Sequence, residues 1–348
     1  MNSLKLSVLL VLIGYICARP YAWPTNASRT ITTVFGDARP RRFHAGMDIR
    51  TWGNTGYELY AVDNGYIQRI RTSSKGYGKA VYLKLQDGNT AVYAHLENFS
   101  KPLNIAVRKF QEASHSYTID HYFLPEEFPI KKGEIIGYSG DTGTISGAHL
   151  HFEIRDENEN PVNPQLLGIQ IEDTIPPTFL NLAAIPQFPD SKVGKSPIPV
   201  IYPAHPVGNN EFIIEDTLYT TGSVGLAVQV EDKLNDQPFS YGIFSIELRI
   251  DGVLWYQRKY DSYSFREEYL SIWDLDYTLK QLTGDKYFRL FHEPGSEIQS
   301  FVKFWNPNPT KPEVGIHKYK ITASDFSGNT AVITGMIKNL PSSIGMPM

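Results

Sequence analysis

Short runs of alternating apolar and polar residues, separated by glycine-containing turns, recur along the first half of the chain. The clearest pair is Val81–Leu85 and Thr90–Ala94, which lie on either side of Asp87 and Gly88. An Asp-Gly pair between two alternating runs predicts a β-hairpin, because glycine accepts the positive φ that such a turn requires. Further runs of this kind are AVDNGYIQRI, GEIIGYSG and HLHFEIR. The pattern predicts a compact antiparallel β unit.

The second half of the chain repeats the pattern with different sequences. One pair of alternating runs, IELRIDGVLWYQ, contains Asp251 and Gly252 at its turn, and another reads HKYKITASDFSGNTAVITGMI. Several short strands at this spacing predict a β-sandwich of immunoglobulin-like architecture. The fold class is therefore mainly β. The residues from Tyr260 to Pro294 are less regular, and their pattern predicts no particular element.

Two irregular segments divide the chain. Between His95 and Lys131 lies a proline-containing stretch, helical or irregular around Val107–Ser114, which we interpret as an insertion that borders a cleft, because loops of this length are usually functional or mobile. Asp173-Thr-Ile-Pro-Pro177 predicts a rigid linker, since consecutive prolines favour extended backbone. The predicted divisions are a β unit at 23–170 with an insertion near 100–130, a linker at 171–180 and a β-sandwich at 181–340.

The N-terminal residues have the composition of a secretory signal peptide. Lys5 precedes an apolar stretch from Leu6 to Ile16, and the small residue Ala18 follows. We expect residues 1–18 to be cleaved after export to the periplasm or the cell exterior. Cys17 is the single cysteine and falls within this segment, so no disulfide is expected; a lipid anchor at Cys17 is disfavoured by the preceding isoleucine. No later stretch has the roughly 20 apolar residues of a membrane span.

Composition narrows the choice of partner. The 348 residues contain 41% hydrophobic and 20% charged residues, which is typical of globular protein, and the formal net charge is -4. A weakly acidic chain without a run of basic residues has no positive field to attract a polyanion. Nucleic acid is therefore not expected as a partner.

Two short motifs place potential metal ligands close together. His44 and Asp48 are four residues apart, and in an extended segment this even spacing directs both side chains to one face. His149 and His151 are two apart, which on a strand also places both rings on one face. Two histidines and one aspartate would leave zinc an open fourth position for water, as in a catalytic site. His95, at the end of the run VYAH, could face the same cleft. Each motif alone also occurs by chance.

Four blocks in order remove that ambiguity: FGDARPRRFHAGMDI, GKAVYLKLQDGNTAVYAHL, KKGEIIGYSGDTGTISGAHLHFEIR and PVNP. Between about Phe35 and Pro164 the chain closely resembles the LytM/lysostaphin family of zinc metallopeptidases. The resemblance implies that zinc is bound by three residues and that two more form a catalytic pair. The implied ligands are His44, Asp48 and His151, and the implied catalytic pair is His95 and His149.

The resemblance also implies a substrate. Members of the family cut peptide cross-links of bacterial peptidoglycan, and the opening block, the insertion and the appended β domain look most like proteins of Bacteroidota. They favour a D,D-endopeptidase acting on D-alanyl-diaminopimelate links over a glycyl-glycine enzyme. Zinc would activate water and polarise the scissile carbonyl, with His95 and His149 orienting the water, accepting its proton or stabilising the oxyanion. Glu153 is either a partner that orients a ligand or a solvated carboxylate at the end of a strand.

Two other classes of function are compatible with the same sequence. One is a catalytically silent member that binds cell wall or regulates another hydrolase. The other is an adhesion or partner-binding role for the second β domain, whose partner the sequence does not identify. The presence of all five implied site residues favours the peptidase.

Overall fold

The computed structural model describes most of the chain, and the ranges described are 20–39, 42–145, 147–292, 300–306 and 312–341. The predicted signal peptide lies outside these residues. Strands dominate the described residues and helices are short, so the prediction of a mainly β protein is confirmed. No helix in the described ranges is both long and apolar enough to cross a membrane.

Strands in the first half of the described chain are short and pair antiparallel. They are β1 (Ile31–Thr33), β2 (Ala38–Arg39), β3 (Arg42–Phe43), β4 (Met47–Arg50), β5 (Glu58–Tyr60), β6 (Gly65–Thr72), β7 (Ala80–Leu85), β8 (Thr90–Ala94), β9 (Leu96–Phe99), β10 (Ile119–Tyr122), β11 (Pro129–Ile130), β12 (Ile135–Ser139), β13 (His149–Arg155) and β14 (Pro161–Val162). The main sheet has the order β1-β4-β13-β8-β7-β6-β10, with β11 beside β6 and β14 beside β13, and a second sheet has the order β5-β12-β9.

The predicted hairpin at Asp87-Gly88 forms the centre of the main sheet. Strands β7 and β8 pair in register, with Val81 opposite Tyr93, and Gly88 has a φ of 92°. Both strands are almost fully buried. Strand β13 lies on the other side of β8, so the H-x-H motif is carried by an inner strand, whose backbone is held by neighbours on both sides.

The predicted insertion contains a helix followed by a strand. Helix α1 (Lys101–Ser114) begins with Pro102 in its first turn, where the missing N–H costs no hydrogen bond. Its buried residues Leu103 and Val107 belong to the hydrophobic core of the first β unit. The helix starts earlier than Val107, where the sequence pattern indicated helical character.

Strands in the second half form two sheets. They are β15 (Thr178–Pro186), β16 (Lys192–Val193), β17 (Val200–Pro203), β18 (His205–Gly208), β19 (Glu211–Ile213), β20 (Leu218–Thr221), β21 (Val224–Glu231), β22 (Ser245–Ile250), β23 (Val253–Lys259), β24 (Phe288–Arg289), β25 (Val302–Trp305), β26 (Gly315–Ser324) and β27 (Thr330–Leu340). One sheet has the order β17-β15-β21-β24 and the other β16-β20-β27-β26-β22-β23-β25. Both hairpins expected here form, as β22–β23 and β26–β27.

The less regular stretch after Tyr260 also acquires structure. It contains a 3-10 helix, Phe265–Trp273, and a short helix α2 (Tyr277–Thr283). A further 3-10 turn, Pro164–Leu167, follows β14 in the first half. The immunoglobulin-like topology and the domain boundaries stay predictions.

The two halves share side chains across their junction. Phe35, Phe43 and Ala45 come from the first half but pack in the core of the second. In the opposite direction, Leu234 and Tyr241 pack in the core of the first half. Each half therefore completes the other's core, and the residues just before the predicted metal ligands are held by the C-terminal sheets.

Candidate active site

Strand pairing brings Asp48 and His151 together. In the ladder between β4 and β13, His151 lies directly opposite Asp48 and His149 lies opposite Arg50. Residues opposite each other in an antiparallel ladder have Cβ atoms about 5 Å apart, which is within reach of one metal ion. The alternation of β13 also directs His149, His151 and Glu153 to the same side of the sheet, as the sequence predicted.

His44 reaches the same point by a different route from the one expected. It does not share a strand with Asp48, because the chain bends at Gly46 before β4 begins at Met47. A Cβ atom at Gly46 would lie 2.0 Å from the carbonyl oxygen of Phe152. The absence of a side chain at Gly46 therefore lets this bend pass close to β13, and the even spacing of the motif is not what joins the two residues.

Three ligand atoms converge at this point. Nε2 of His44 lies 3.0 Å from Oδ1 of Asp48 and 3.0 Å from Nδ1 of His151, and the last two atoms are 2.8 Å apart. Ligand atoms of a tetrahedral zinc site are about 3.3 Å apart, since each bond is about 2.0 Å long. All three residues are buried. The donor set, spacing and burial fit one metal ion with an open position toward the cleft.

Hydrogen bonds on the far side of each ligand fix which atom faces the centre. Nδ1 of His44 donates to the carbonyl oxygen of Val34 over 2.8 Å, which leaves Nε2 as the ligand atom. Nε2 of His151 lies 2.8 Å from Oε1 of Glu153, which leaves Nδ1. Arg39 donates to Oδ2 of Asp48 over 2.7 Å, so Oδ1 faces the two histidines. Such outer partners orient metal ligands and are a regular part of metal centres.

Glu153 is the orienting partner rather than a solvated carboxylate. It is fully buried and accepts hydrogen bonds from Tyr77 and from Nε of Arg155, the latter over 2.8 Å. Burial alone raises the pKa of Glu153, but attraction to Arg155 and the bond to His151 outweigh it and lower the pKa to about 2. Glu153 is therefore ionised and accepts the proton of His151 across the working pH range.

The three residues at the centre have shifted pKa values. Burial raises the pKa of Asp48, yet the influence of His44 and His151 overcomes it and holds that pKa well below its usual range. Burial lowers the pKa of His44, which favours a neutral imidazole with a free lone pair. Burial lowers the pKa of His151, but its hydrogen bonds to Asp48 and Glu153 outweigh this effect and raise the pKa to about 9. A metal that binds Nδ1 of His151 would therefore displace a proton.

His95 and His149 lie together beside the three ligand residues. Their ring centroids are 4.9 Å apart, and Nε2 of His149 is 3.6 Å from Oδ1 of Asp48. His95 occupies the kink between β8 and β9 with a φ of 66°, and its Nδ1 donates to the carbonyl oxygen of Thr142 over 2.9 Å. Burial and then the neighbouring His151 lower the pKa of His95 to about 3, so its ring is neutral and Nε2 has a free lone pair.

A cleft of about 560 Å³ opens over the five residues. Its wall includes Tyr263, Phe265 and Glu268 from the second half of the chain, together with Arg39 and Arg42 from the first. Residues 100–130 are not among those that line this cleft, whereas Lys101, Asn104, Ile105 and Arg108 of the insertion line a separate cavity. Its helix is instead packed against β9 and β10 on another part of the unit.

Sequence reasoning missed several residues of this cleft. Arg39 stands within the first quoted block, but no spacing rule connects it with Asp48. Tyr77 is a single aromatic residue in a turn, and Tyr263 is far along the chain in the segment without a regular pattern. Only contact in the folded chain identifies them.

Comparisons with known proteins agree with this geometry. Residues 113–164 match the model of peptidase family M23. A DD-carboxypeptidase/endopeptidase Mpg of Neisseria meningitidis is 32% identical over 123 residues, which cover 35% of this chain and 22% of that protein. The murein hydrolase activator NlpD of Escherichia coli is 28% identical over 144 residues, which cover 41% of this chain and 30% of NlpD. The matched regions thus span under a third of either relative.

Similar chains are also found among solved structures. The catalytic domain of the M23 protein EnpA from Enterococcus faecalis aligns at 25% identity with a TM-score of 0.30, covering 42% of this chain and 95% of that one. A zinc-containing peptidase from Vibrio cholerae aligns at 22% identity with a TM-score of 0.31, covering 44% and 41%. What these comparisons establish is a match of residues 113–164 to the model of peptidase family M23 and a wider similarity to proteins that carry such domains.

Proposed function

We propose that this protein is an exported zinc endopeptidase that hydrolyses peptide cross-links of bacterial peptidoglycan, and that the bond is D-alanyl-diaminopimelate. The observation that carries the proposal is the convergence of His44, Asp48 and His151 at mutual distances of 2.8 to 3.0 Å, with His95 and His149 on the cleft side. Residues 23–170 would form the peptidase domain and residues 181–340 an appended β-sandwich.

The chemistry that zinc supplies in such a site is activation of water near neutral pH and polarisation of a carbonyl group. The remaining tasks fall to His95 and His149. His95 is neutral and fixed through Nδ1, so its Nε2 is free to orient a water molecule and accept its proton. His149 lies beside it, where an imidazole N–H could donate to the oxyanion that forms at the scissile carbonyl.

The cleft has features suited to a peptide with free carboxylates. Arg42 is exposed at its wall, and guanidinium groups pair well with carboxylates such as those of peptidoglycan stems. Tyr263 and Phe265, which come from the second half of the chain, add an apolar surface to the same cleft. The Neisseria relative is named as a DD-carboxypeptidase/endopeptidase, which supports the choice of bond.

The competing function is regulation of another hydrolase, which the similarity to the activator NlpD suggests. A regulator needs a binding surface but not an ordered set of ligand and proton-transfer groups. Here all five residues are brought together, and two of the ligands have partners that fix the orientation of their rings. This arrangement favours catalysis.

Mass spectrometry of purified diaminopimelate-type sacculi would test the proposal. Zinc-loaded protein should release products cut between D-alanine and diaminopimelate, and removal of zinc should stop the release until zinc is restored. His149→Ala, which leaves the three ligands in place, is the matched control and should bind zinc without releasing products. Wild-type protein that binds zinc but yields no products would favour the regulatory function, and products cut elsewhere would overturn the assigned bond.

A further inference from the structure

A second cluster of ionisable side chains lies at the junction between the linker and the second half of the chain. Asp173 precedes the two linker prolines, Asp232 follows β21, and Asp325 begins the turn between β26 and β27. One carboxylate oxygen from each residue lies within 4.8 Å of the other two. Three separate segments of the chain thus place an acid at one point.

The carboxylates are buried without sufficient partners. Asp232 and Asp325 are each only 4% exposed. Oδ1 of Asp232 and Oδ2 of Asp173 are buried and accept no hydrogen bond. Among the described residues, no lysine, arginine or histidine forms an ion pair with any of the three. A buried carboxylate without a partner is costly, so this arrangement requires a compensating group.

The surrounding backbone holds the cluster in place. The backbone N–H and C=O groups of Asp232 both pair with Tyr241, at 3.1 and 2.9 Å. Asp325 accepts from the backbone N–H and the side-chain amide of Asn329, at 2.9 and 2.7 Å. The same amide donates to the carbonyl oxygen of Asp173 over 3.2 Å. These bonds hold the backbone of Asp232 and both carboxylate oxygens of Asp325, whereas Oδ1 of Asp232 and Oδ2 of Asp173 have no hydrogen-bond partner.

The pKa values of two of these acids are raised, which also indicates that a compensating cation would be stabilising. Burial, reinforced by Asp325 and Asp173, raises the pKa of Asp232 to about 8. Burial also raises the pKa of Asp173 to about 6. Each shift reports carboxylates that repel one another in a poorly solvated place, a situation that a bound cation relieves.

We propose that Asp173, Asp232 and Asp325 bind a calcium ion that joins the linker to the second β unit. An all-oxygen set is typical of hard cations, whereas the mixed nitrogen and oxygen set around His151 suits zinc. Calcium accepts irregular oxygen coordination more readily than magnesium does. The adjoining cavity, of about 30 Å³, has room for a water molecule to complete the coordination, and Asn163 and Gln165 border it.

The site would couple the two halves of the molecule. The same cavity is lined by Phe35 and Tyr260, which belong to the shared core at the junction. Tyr263, which forms part of the catalytic cleft wall, follows Tyr260 closely in the chain. Calcium would therefore stabilise the junction that positions this wall, without touching the zinc ligands.

Thermal unfolding of the zinc-loaded full chain would test the proposal. In calcium-free buffer, addition of about 5 mM CaCl₂ should raise the unfolding midpoint by roughly 5 °C, and the same concentration of MgCl₂ should raise it much less. Asp232→Asn should abolish the calcium response. Asp216→Asn, which removes an exposed acid from the same half of the chain, should keep it. A wild-type midpoint that is unchanged by calcium, or a full response in Asp232→Asn, would overturn the site.

A binding measurement keeps the proposal testable if Asp232→Asn does not fold. Terbium, which substitutes for calcium, should bind wild-type protein at one saturable site with emission sensitised by the nearby Tyr260, and calcium should displace it. Asp325→Asn should weaken this binding at least tenfold, and the zinc-free His44→Ala variant should retain it. Absence of saturable binding would show that the three acids share protons instead. The zinc content and peptidase activity are measured separately, so failure here leaves the proposed function untouched.

Discussion

Two clusters of acidic and metal-binding residues in this molecule differ in how their charges are satisfied. Around His151, the carboxylate of Asp48 has an arginine on one oxygen and two histidines on the other. Around Asp232, each of three carboxylates places an oxygen within 4.8 Å of the other two, and one oxygen each of Asp232 and Asp173 accepts no hydrogen bond. The pKa of Asp48 is held well below its usual range, whereas that of Asp232 rises to about 8. The two aspartates are equally buried, yet their pKa values are shifted in opposite directions because their neighbours differ in charge.

Donor chemistry, more than proximity, distinguishes the two proposed metal sites. The first cluster has two imidazole donors whose ring orientation is fixed by hydrogen bonds on the far side, an arrangement suited to zinc. The second has only oxygen donors at the meeting of three chain segments, an arrangement suited to calcium. One cluster faces a wide cleft and the other a small cavity, which fits a catalytic role for the first and a stabilising role for the second.

The largest expected effect separates the two clusters completely. His44→Ala removes one of three ligands, so zinc should be lost and turnover should fall by about 1,000-fold or more, because several kcal/mol of transition-state stabilisation depend on the metal. The calcium response should be unchanged. Asp325→Asn should lose the calcium response and keep both zinc and turnover. Metal analysis and digestion of sacculi would measure both, and loss of both metals in either variant would show that the clusters are not independent.

A second prediction separates metal binding from proton transfer within the first cluster. His95→Ala and His149→Ala should each reduce turnover by about 100- to 10,000-fold while zinc is retained, because general acid–base groups contribute on this scale. His205→Ala, which removes an exposed histidine from β18, serves as the control. Turnover near the wild-type value in either cleft variant would remove that histidine from the proposed mechanism.

A third prediction concerns the carboxylate behind His151. Glu153→Gln weakens the acceptor for the His151 proton and leaves Arg155 without its charged partner, so zinc affinity should fall by about 10- to 100-fold. Glu157→Gln removes an exposed carboxylate two residues after Arg155 and should have no effect. Competition with a zinc chelator would give both affinities. Equal affinities would mean that Glu153 does not orient the ligand.

The smallest expected effect uses an aspartate that already has a cationic partner. Asp251 lies 2.6 Å from His317, whose pKa it raises, and the pKa of Asp251 is itself lowered by this bond. The raised histidine pKa stabilises the fold below about pH 6.5, and this stabilisation disappears as the pH rises through the folded-state pKa. The lowered aspartate pKa makes the contribution fade again as the medium becomes strongly acidic.

This exposed pair should contribute less than about 1 kcal/mol, since solvent screens it. The free energy of unfolding of wild type and His317→Gln should therefore differ most near pH 5 to 6 and converge once the pH is above the folded-state pKa of His317. Denaturant unfolding at several pH values would measure the difference. A difference that grows with rising pH would contradict the assigned ion pair.

Much of the fold could be predicted because local patterns specify it. Asp87-Gly88 and Asp251-Gly252 lie between alternating runs, and in both cases the turn chemistry and the strand pattern agree, so the hairpins form where expected. The insertion was harder to predict. Its helix buries Leu103 and Val107 against the first core, and no local feature of the sequence shows which side of the unit it covers.

The sequence by itself identified the central residues of the candidate site. Alternation along a strand directs His149 and His151 to one side, and the ordered blocks around them resemble the LytM/lysostaphin family, in agreement with the match of residues 113–164 to the M23 model. The assignments of the individual ligands and catalytic residues stay predictions. Strand register and the bend at Gly46 decided how the ligand atoms meet, because a spacing in sequence does not specify a path in space.

Tertiary structure alone decided the remaining features. Arg39 reaches Asp48, Tyr263 reaches the cleft, and the three acids at the junction come together from a linker, a strand end and a turn. In each case, the sequence around one residue does not indicate which other residue it will contact. Their energies depend on burial and on the distances between charges, quantities that exist only once the chain has folded.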